Sequence, residues 1–449
     1  MRGRPALPPG PYLVVGLARS GVAAALALRA RGEEVIGVDR GTPTDVGRLR
    51  DTGMELFLEG EGVALLDRVR AVVKSPGVPA RAPVVAAARE RGLPVLGELE
   101  LGWRLLANEF VAVTGTNGKT TTVELIGHIH REAGLPVAVA GNVGVALAGL
   151  AAGGADGDLA MVKVDEETTI VCEVSSFQLE DTLAFAPEGA VLLNLTPDHL
   201  DRHGTFDAYR AAKLEIFARQ GNDDVAVAPL GLGVEDLGGC ARRVCFGEGP
   251  GAALSLSAGE LWWEERPLLR VEEIRLPGRH NLQNAMAAAA VCLARGIEPD
   301  AVRAGLRSFA GVKHRLEEVA LCDGVRWVND SKATNVASTL VALDAFAAGT
   351  IHLILGGQGK GQDFSALRGP VGERCKAVYL IGEDAPVIAA ALAGGVTPVL
   401  ECGNLERAVT AAREAARAGD VVLLSPACAS FDQFVDFEAR GERFRELAG

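Results

Sequence analysis

One pattern recurs along this chain: a short run of Val, Ile and Leu, a cluster of Gly, Ser, Asn or Asp, and then a helix-like stretch. It appears as YLVV-GLARSG, VIGVD-R, AVV-KSPG, VAVT-GTNGKT, VAVA-GN, IVCEV-SSF, VLLNL-TPDH, WVND-SKATN, HLIL-GGQGKG, VYLI-GED and VVLLS-PACAS. Strands alternating with helices in this way specify an α/β chain with largely parallel sheets. Ligands of such sheets bind just beyond the carboxyl ends of the strands, where these polar clusters lie. The clusters therefore map the candidate sites.

The 449 residues suggest about three domains, each able to bury its own core. Glycine-turn chemistry restarts after ELELGWRLLANE and again after RAGLRSFAGVKHRLE, which divides the chain into 1–108, 109–311 and 312–449. Residues 221–275, with DDVAVA and ELWWEE between glycines, read as a small β-rich piece closing the middle domain. Gly154 to Thr169 is polar and acidic and reads as an exposed loop. No fixed-period repeat is present.

Charge and hydropathy remove several classes of function. A formal charge of −13 without any Lys/Arg-rich run argues against nucleic acid, which needs clustered cations. No apolar run reaches the roughly 18–20 residues of a bilayer span, and the longest, around Ala285 to Ala294, suits a buried helix. The start, MRGRPALPPGPYLVVG, lacks a signal-peptide apolar core. A cytoplasmic location is expected. Eight scattered cysteines without C-x-x-C, among them Cys172, Cys292 and Cys322 in apolar stretches, read as free thiols rather than disulfides or zinc ligands.

The strongest motif is VAVTGTNGKTTT at 111–122. The common phosphate loop, G-x-x-x-x-G-K-[ST], would begin at Val113, so this loop is two residues short of it. A strand, T-G-T-N-G-K-T and a helix would still set backbone N–H groups around β- and γ-phosphates. Lys119 would add a cation and Thr120 a magnesium ligand, while Gly115 and Gly118 let the backbone approach. GLARSG at 16–21 is a weaker turn of the same kind, with Ala18 where a middle glycine would stand, and Asp39 about 20 residues on suits a nucleotide hydroxyl. A dehydrogenase turn remains open there. Glu173 and His199, each near a strand end, suit metal ligation. Lys213 in FDAYRAAKLEIFA, taken alone, reads as a lysine whose stem covers apolar surface. NDSKATN (329–335), GGQGKGQDF (356–364) and SPACASFDQF (425–434) suit a small anion bearing carboxylates.

Together TGTNGKT, SSFQLE, DHLDRHGTFDAYRAAK, LPGRHNLQNAMAAAA, HRLE, NDSKATN, GGQGKG and SPACASFDQF resemble the Mur ligases of peptidoglycan synthesis over essentially the whole chain. The resemblance runs to the branch that adds D-glutamate. It implies a Rossmann-like UDP-binding domain, a central P-loop ATPase-like domain and a Rossmann-like C-terminal domain bringing the amino acid. The implied reaction is ATP-driven amide formation between UDP-N-acetylmuramoyl-L-alanine and D-glutamate through an acyl phosphate. The implied cofactors are ATP and two magnesium ions, and a monomer is expected.

Carried over by the resemblance, Gly115, Thr116, Asn117, Gly118, Lys119, Thr120, Thr121, Asn281, Asn284, Arg315 and Asp330 would bind ATP. Thr120, Glu173, His199 and Lys213, the last as a carbamate, would ligate magnesium. Lys119, Arg315 and Lys332 would supply positive charge. Ser20, Asp39, Arg40, Ser75, Gly77 and Asn142 would meet the UDP substrate, and Thr334, Lys360, Ser425 and Phe431 would receive D-glutamate. A sister ligase, a folylpolyglutamate synthetase-like enzyme or a non-catalytic nucleotide-binding regulator are the alternatives. A GTPase is disfavoured because no N-K-x-D or T-K-x-D stretch is present.

Overall fold

The computed structural model describes residues 3–43, 46–142, 145–152, 164–232, 237–276, 278–359 and 361–449. They form two compact units, 1–309 and 310–449. The first unit holds two sheets. Its N-terminal sheet contains β1 (Tyr12–Val15), β2 (Val35–Val38), β3 (Glu55–Phe57), β4 (Ala71–Lys74) and β5 (Val95–Gly97), all parallel in the order β3-β2-β1-β4-β5. Every residue of β1, β2 and β4 is buried, so these strands read as unbroken apolar runs rather than alternating ones. The chain changes direction between β1 and β4, which opens a crevice at their carboxyl ends.

The larger sheet is built from β6 (Phe110–Thr114), β7 (Val137–Gly141), β8 (Thr169–Glu173), β9 (Gly189–Leu192), β10 (Val225–Pro229), β11 (Arg242–Glu248), β12 (Leu254–Ser257), β13 (Glu260–Trp263) and β14 (Arg266–Arg270). Its order is β14-β13-β12-β11-β10-β9-β6-β8-β7, antiparallel only at β12-β13-β14. The stretch read as a small β-rich piece closing the middle domain is the far half of one continuous sheet. β10 pairs with β9 on one side and β11 on the other, and the helix Arg279–Ala294 packs on β10 and β11. That helix buries Asn284 through Leu293, as its apolar run requires.

The two sheets of the first unit share core. Tyr12, Val14 and Leu28 pack in one cluster with Leu101, Ala146 and Ala148. Polar groups secure the junction where burial would leave backbone unpaired. Glu98 accepts the Ala148 N–H at 2.7 Å, and Glu100 accepts those of Leu183, Ala184 and Phe185 at 2.9–3.1 Å. Lys74, fully buried at the end of β4, pairs with Asp181 at 2.7 Å. Residues 154–163 of the acidic stretch lie outside the described residues; Asp165–Glu167 are exposed, and Thr168 is buried, its carbonyl accepting from Asn108.

The second unit is one sheet of β15 (Glu317–Cys322), β16 (Val325–Asn329), β17 (Ile351–Gly356), β18 (Cys375–Ile381), β19 (Val399–Gly403) and β20 (Val421–Leu424). The order is β15-β16-β20-β17-β18-β19, with β15 antiparallel and the rest parallel. Separate apolar clusters cover its two faces. Among the described residues no helix is long and apolar enough to cross a membrane. All eight cysteines are free; Cys172 and Cys292 are buried and Cys322 partly so.

Candidate active site

In the large sheet β6 lies between β8 and β9, with β7 beyond β8, so the segments leaving their carboxyl ends converge. The loop after β6 is held open by its glycines. Gly115 and Gly118 have φ of +149° and +86°, and a Cβ on Gly118 would lie 2.1 Å from Asn284 Oδ1. Gly118 then caps the helix Lys119–Glu132, whose first N–H groups suit phosphate oxygens. Asn284 is itself buried and donates to Asn281 at 3.3 Å.

Residues that sequence reasoning did not single out shape this loop. Asn194 Oδ1 accepts the Asn117 N–H at 2.9 Å and its Nδ2 donates to the Asn117 carbonyl at 3.0 Å. The Thr116 hydroxyl meets Tyr209 OH at 2.9 Å and accepts the Thr196 N–H at 3.1 Å. A signal existed: Tyr209 and Lys213 are four apart on one helix, Phe206–Leu214, and so share a face.

The Thr120 hydroxyl donates to Glu173 Oε2 at 2.7 Å, and Asn142 Nδ2 donates to Glu173 Oε1 at 3.1 Å. Thr120, Thr121 and Glu173 are buried. Lys213, only 2% exposed, donates to the Gly115 carbonyl at 2.8 Å. Lys119 donates to the same carbonyl at 3.0 Å and to that of Thr116 at 2.9 Å. Burial first, and the neighbouring Lys119 cation second, hold the Lys213 amine down to about 7. That is the opposite of a lysine whose head reaches solvent. His199, half exposed, adopts φ +50° and its ring is tilted against that of Phe177, with centroids 4.9 Å apart.

At the β1–β4 crevice Gly16 has φ +85°, and a Cβ on Gly21 would lie 1.8 Å from the Gly16 carbonyl oxygen. These two positions explain why the turn needs glycine while Ala18 is accommodated in an exposed, extended site. The Ser75 hydroxyl donates to the Gly16 carbonyl at 2.9 Å. The Asp39 carboxylate accepts the Leu17 and Gly41 N–H groups at 2.6 and 2.8 Å, so it shapes the turn before it meets any ligand. Arg40 is exposed and paired with Glu61 at 2.7 Å. Ser20 lies in the first turn of the helix Arg19–Ala30, and Gly77 has open space around it.

In the second unit NDSKATN, SPACASFDQF and GGQGKGQDF leave the carboxyl ends of the adjacent strands β16, β20 and β17. Asp330, 5% exposed, accepts the Ser425 hydroxyl at 2.8 Å and the Leu316 N–H at 3.2 Å. Burial pushes its carboxyl up to about 7 against those bonds and the nearby Arg315 charge. His314 and Leu316, which flank Arg315, have φ of +61° and +45°, and the His314 carbonyl accepts the Lys332 N–H at 3.0 Å. Arg315 and Lys332 are thereby fixed on neighbouring turns. Gln362 receives the Val336 N–H at 3.0 Å and donates to the Ala427 and Gly359 carbonyls at 2.7 and 3.1 Å, tying the three segments together. Buried Arg440 donates to the Ser331, Cys428 and Ala429 carbonyls. Thr334 is partly buried and Phe431 is 63% exposed; Lys360 lies outside the described residues.

Two family models match the chain: Mur ligase middle domain over residues 113–234 and Mur ligase, glutamate ligase domain over 314–428. The chain is 43% identical to the UDP-N-acetylmuramoylalanine–D-glutamate ligase of Pelotomaculum thermopropionicum, with 97% of this chain and 96% of the relative covered. To that of Anaeromyxobacter dehalogenans it is 44% identical with the same coverage. Among solved structures the fold is similar to UDP-N-acetylmuramate-alanine ligase of Thermotoga maritima (TM-score 0.60, 20% identity, 97% and 98% covered). It is also similar to the MurF ligase of that organism in complex with ADP (TM-score 0.55, 18% identity, 98% and 94% covered).

Proposed function

We propose, for a chain that belongs to the Mur ligase family, that it is the ATP-dependent ligase joining D-glutamate to the alanyl carboxylate of UDP-N-acetylmuramoyl-L-alanine. One observation supports this above the others: two lysines, Lys119 and Lys213, meet on the Gly115 carbonyl beside the Thr120–Glu173 hydrogen bond. In the reaction the alanyl carboxylate attacks the γ-phosphate of ATP and ADP leaves. The D-glutamate amine then attacks the acyl phosphate, and phosphate departs with a new amide bond. Both attacking and attacked groups of the first step are anionic, so positive charge set in advance is the main requirement.

This reading gives residues 1–108 to the UDP substrate, 109–311 to ATP and 312–449 to D-glutamate. Lys119 and the loop N–H groups take the phosphates, and Asn281 and Asn284 the base. Ser20, Asp39, Arg40, Ser75, Gly77 and Asn142 take the UDP substrate. Arg315, Asp330 and Lys332 complete the nucleotide side, and Thr334, Lys360, Ser425 and the Phe431 backbone receive the amino acid.

The Thr120 hydroxyl and Glu173 carboxylate, hard oxygens beside a phosphate loop, fit magnesium. They would hold one ion and His199 a second, and Lys213 as a carbamate would add a further ligating oxygen. Magnesium, when bound, supplies charge that offsets the repulsion between carboxylate and phosphate. Carbamate formation needs the neutral amine, which the low basicity of Lys213 makes available: its nitrogen bonds to the carbon of carbon dioxide and a proton leaves. The product is an anion where the sequence has a cation.

Incubation with ATP, magnesium and UDP-N-acetylmuramoyl-L-alanine tests the reading. Phosphate release should depend on D-glutamate and be far lower with L-glutamate, D-aspartate or meso-diaminopimelate. Preference for another amino acid would refute it.

A further inference from the structure

Where the two sheets of the first unit meet, a chain of contacts runs from the β4 turn to His199, and the reaction described above does not use it. Arg202 Nη1 donates to the Pro76 carbonyl at 2.9 Å. Pro76 sits between Ser75 and Gly77, in the crevice assigned to UDP. The same guanidinium has its Cζ 3.8 Å from the centroid of the Phe177 ring, and its Nη2 lies 3.5 Å from Glu180 Oε2. Glu180 Oε1 meets His203 Nδ1 at 3.0 Å, and His203 Nε2 meets the Ser176 hydroxyl at 3.0 Å. Phe177 contacts His199 and His203 at centroid distances of 4.9 and 5.5 Å.

Arg202 does not dock the two sheets alone. The wholly buried Lys74–Asp181 pair and the carboxylates of Glu98 and Glu100 already hold that junction. His199, by contrast, is half exposed and lies in a left-handed conformation. Its ring rests on Phe177 and on Asp198, 3.5 Å away. Whatever moves Phe177 therefore moves the support of the His199 ring.

We propose that Arg202 is a positioning residue that transmits occupancy of the Ser75–Gly77 turn to the His199 ring through Phe177. The proposal rests on the functional reading above, which assigns that turn to the UDP substrate. A ligand seated on the turn shifts the Pro76 carbonyl; the guanidinium follows it, and the stacked ring follows the guanidinium. Only a planar fork can bond Pro76, face Glu180 and lie on Phe177 at once, so lysine is not an equivalent.

The test compares the full-length chain with Arg202→Lys and Arg202→Ala, titrated with UDP-N-acetylmuramoyl-L-alanine in the absence of ATP. Histidine side-chain 1H–15N spectra are recorded, with the His199 signals assigned from His199→Gln. In the wild type the His199 signals shift on saturation; in both variants the ligand binds and they stay. In turnover, kcat falls about tenfold in both variants while KM for D-glutamate stays within about twofold, as expected for lost alignment rather than lost binding. An unshifted His199 in the wild type, an equal shift in the variants, or full kcat in Arg202→Lys overturns the proposal. If the wild type shows the shift but ligates no D-glutamate, the functional reading fails and the coupling stands.

Discussion

At Lys213 the environment, not the side chain, sets the chemistry. Desolvation and the Lys119 charge bring its amine to about 7, so at pH 8 most of it is neutral and able to take up carbon dioxide. The neutral fraction falls about tenfold for each pH unit below 7. Protein stripped of carbon dioxide should therefore regain activity on adding bicarbonate at pH 8, and regain it progressively less from pH 7 to pH 5. Equal recovery across that range would argue against a carbamate. The same shift predicts a stability effect. The unfolded lysine titrates near 10.4 and the folded one near 7, so between those values the unfolded chain binds more protons and stability rises with pH. Relative to Lys213→Met, wild-type protein without carbamate should gain up to about 1.4 kcal/mol per pH unit from pH 7.5 to 9.5 in urea unfolding.

The loop after β6 makes its own prediction at the scale of an element. Gly118 holds φ +86°, and a methyl group there would strike the Asn284 amide. Gly118→Ala should cost about 1–2 kcal/mol in backbone strain and displace Asn284. KM for ATP should then rise by about tenfold or more, an effect on the order of one lost hydrogen bond to a buried group; nucleotide titration and thermal unfolding measure the two parts. An unchanged ATP affinity would remove Asn284 from the nucleotide site.

Elements were the most legible level of the sequence. YLVV, VIGV, VYLI and VVLL announce strands because a parallel sheet covered on both faces tolerates only apolar side chains. The register of 225–270 was not legible. DDVAVA gives no sign that it pairs with Gly189–Leu192, because that pairing is made between residues far apart in sequence. Of the site, TGTNGKT could be read directly, since glycine and lysine there serve local geometry. Asn194, Thr196 and Gln362 could not, since each acts by a hydrogen bond to a segment elsewhere in the chain.

In the whole molecule, each unit carries its own apolar clusters, those of residues 310–449 being built wholly from its own residues. Residues 310–449 expressed alone should therefore unfold in one cooperative transition. Residues 1–108 should not behave as well, because their cluster is completed by Ala146 and Ala148; exposed apolar surface, read by dye binding, would reveal the difference. The Lys74–Asp181 pair joins the two sheets of the first unit. Lys74→Met leaves Asp181 buried beside the half-exposed Arg89 at 3.2 Å and should cost about 3 kcal/mol, whereas Lys74→Met with Asp181→Leu should recover most of that. Urea midpoints of the single and double variants decide it.

The sequence by itself determined the α/β class, the strand ends at which ligands can bind, and the phosphate-gripping loop. These depend on neighbours along the chain: apolar runs that must be covered, and glycines that alone tolerate the turns. Only the tertiary structure decided that Lys213 is a weak base beside Lys119, that Asp39 braces its own turn, and that Arg202 joins the β4 turn to Phe177. Those properties come from burial and from charges brought together across long stretches of sequence, where desolvation and Coulomb forces act on groups that no local pattern pairs.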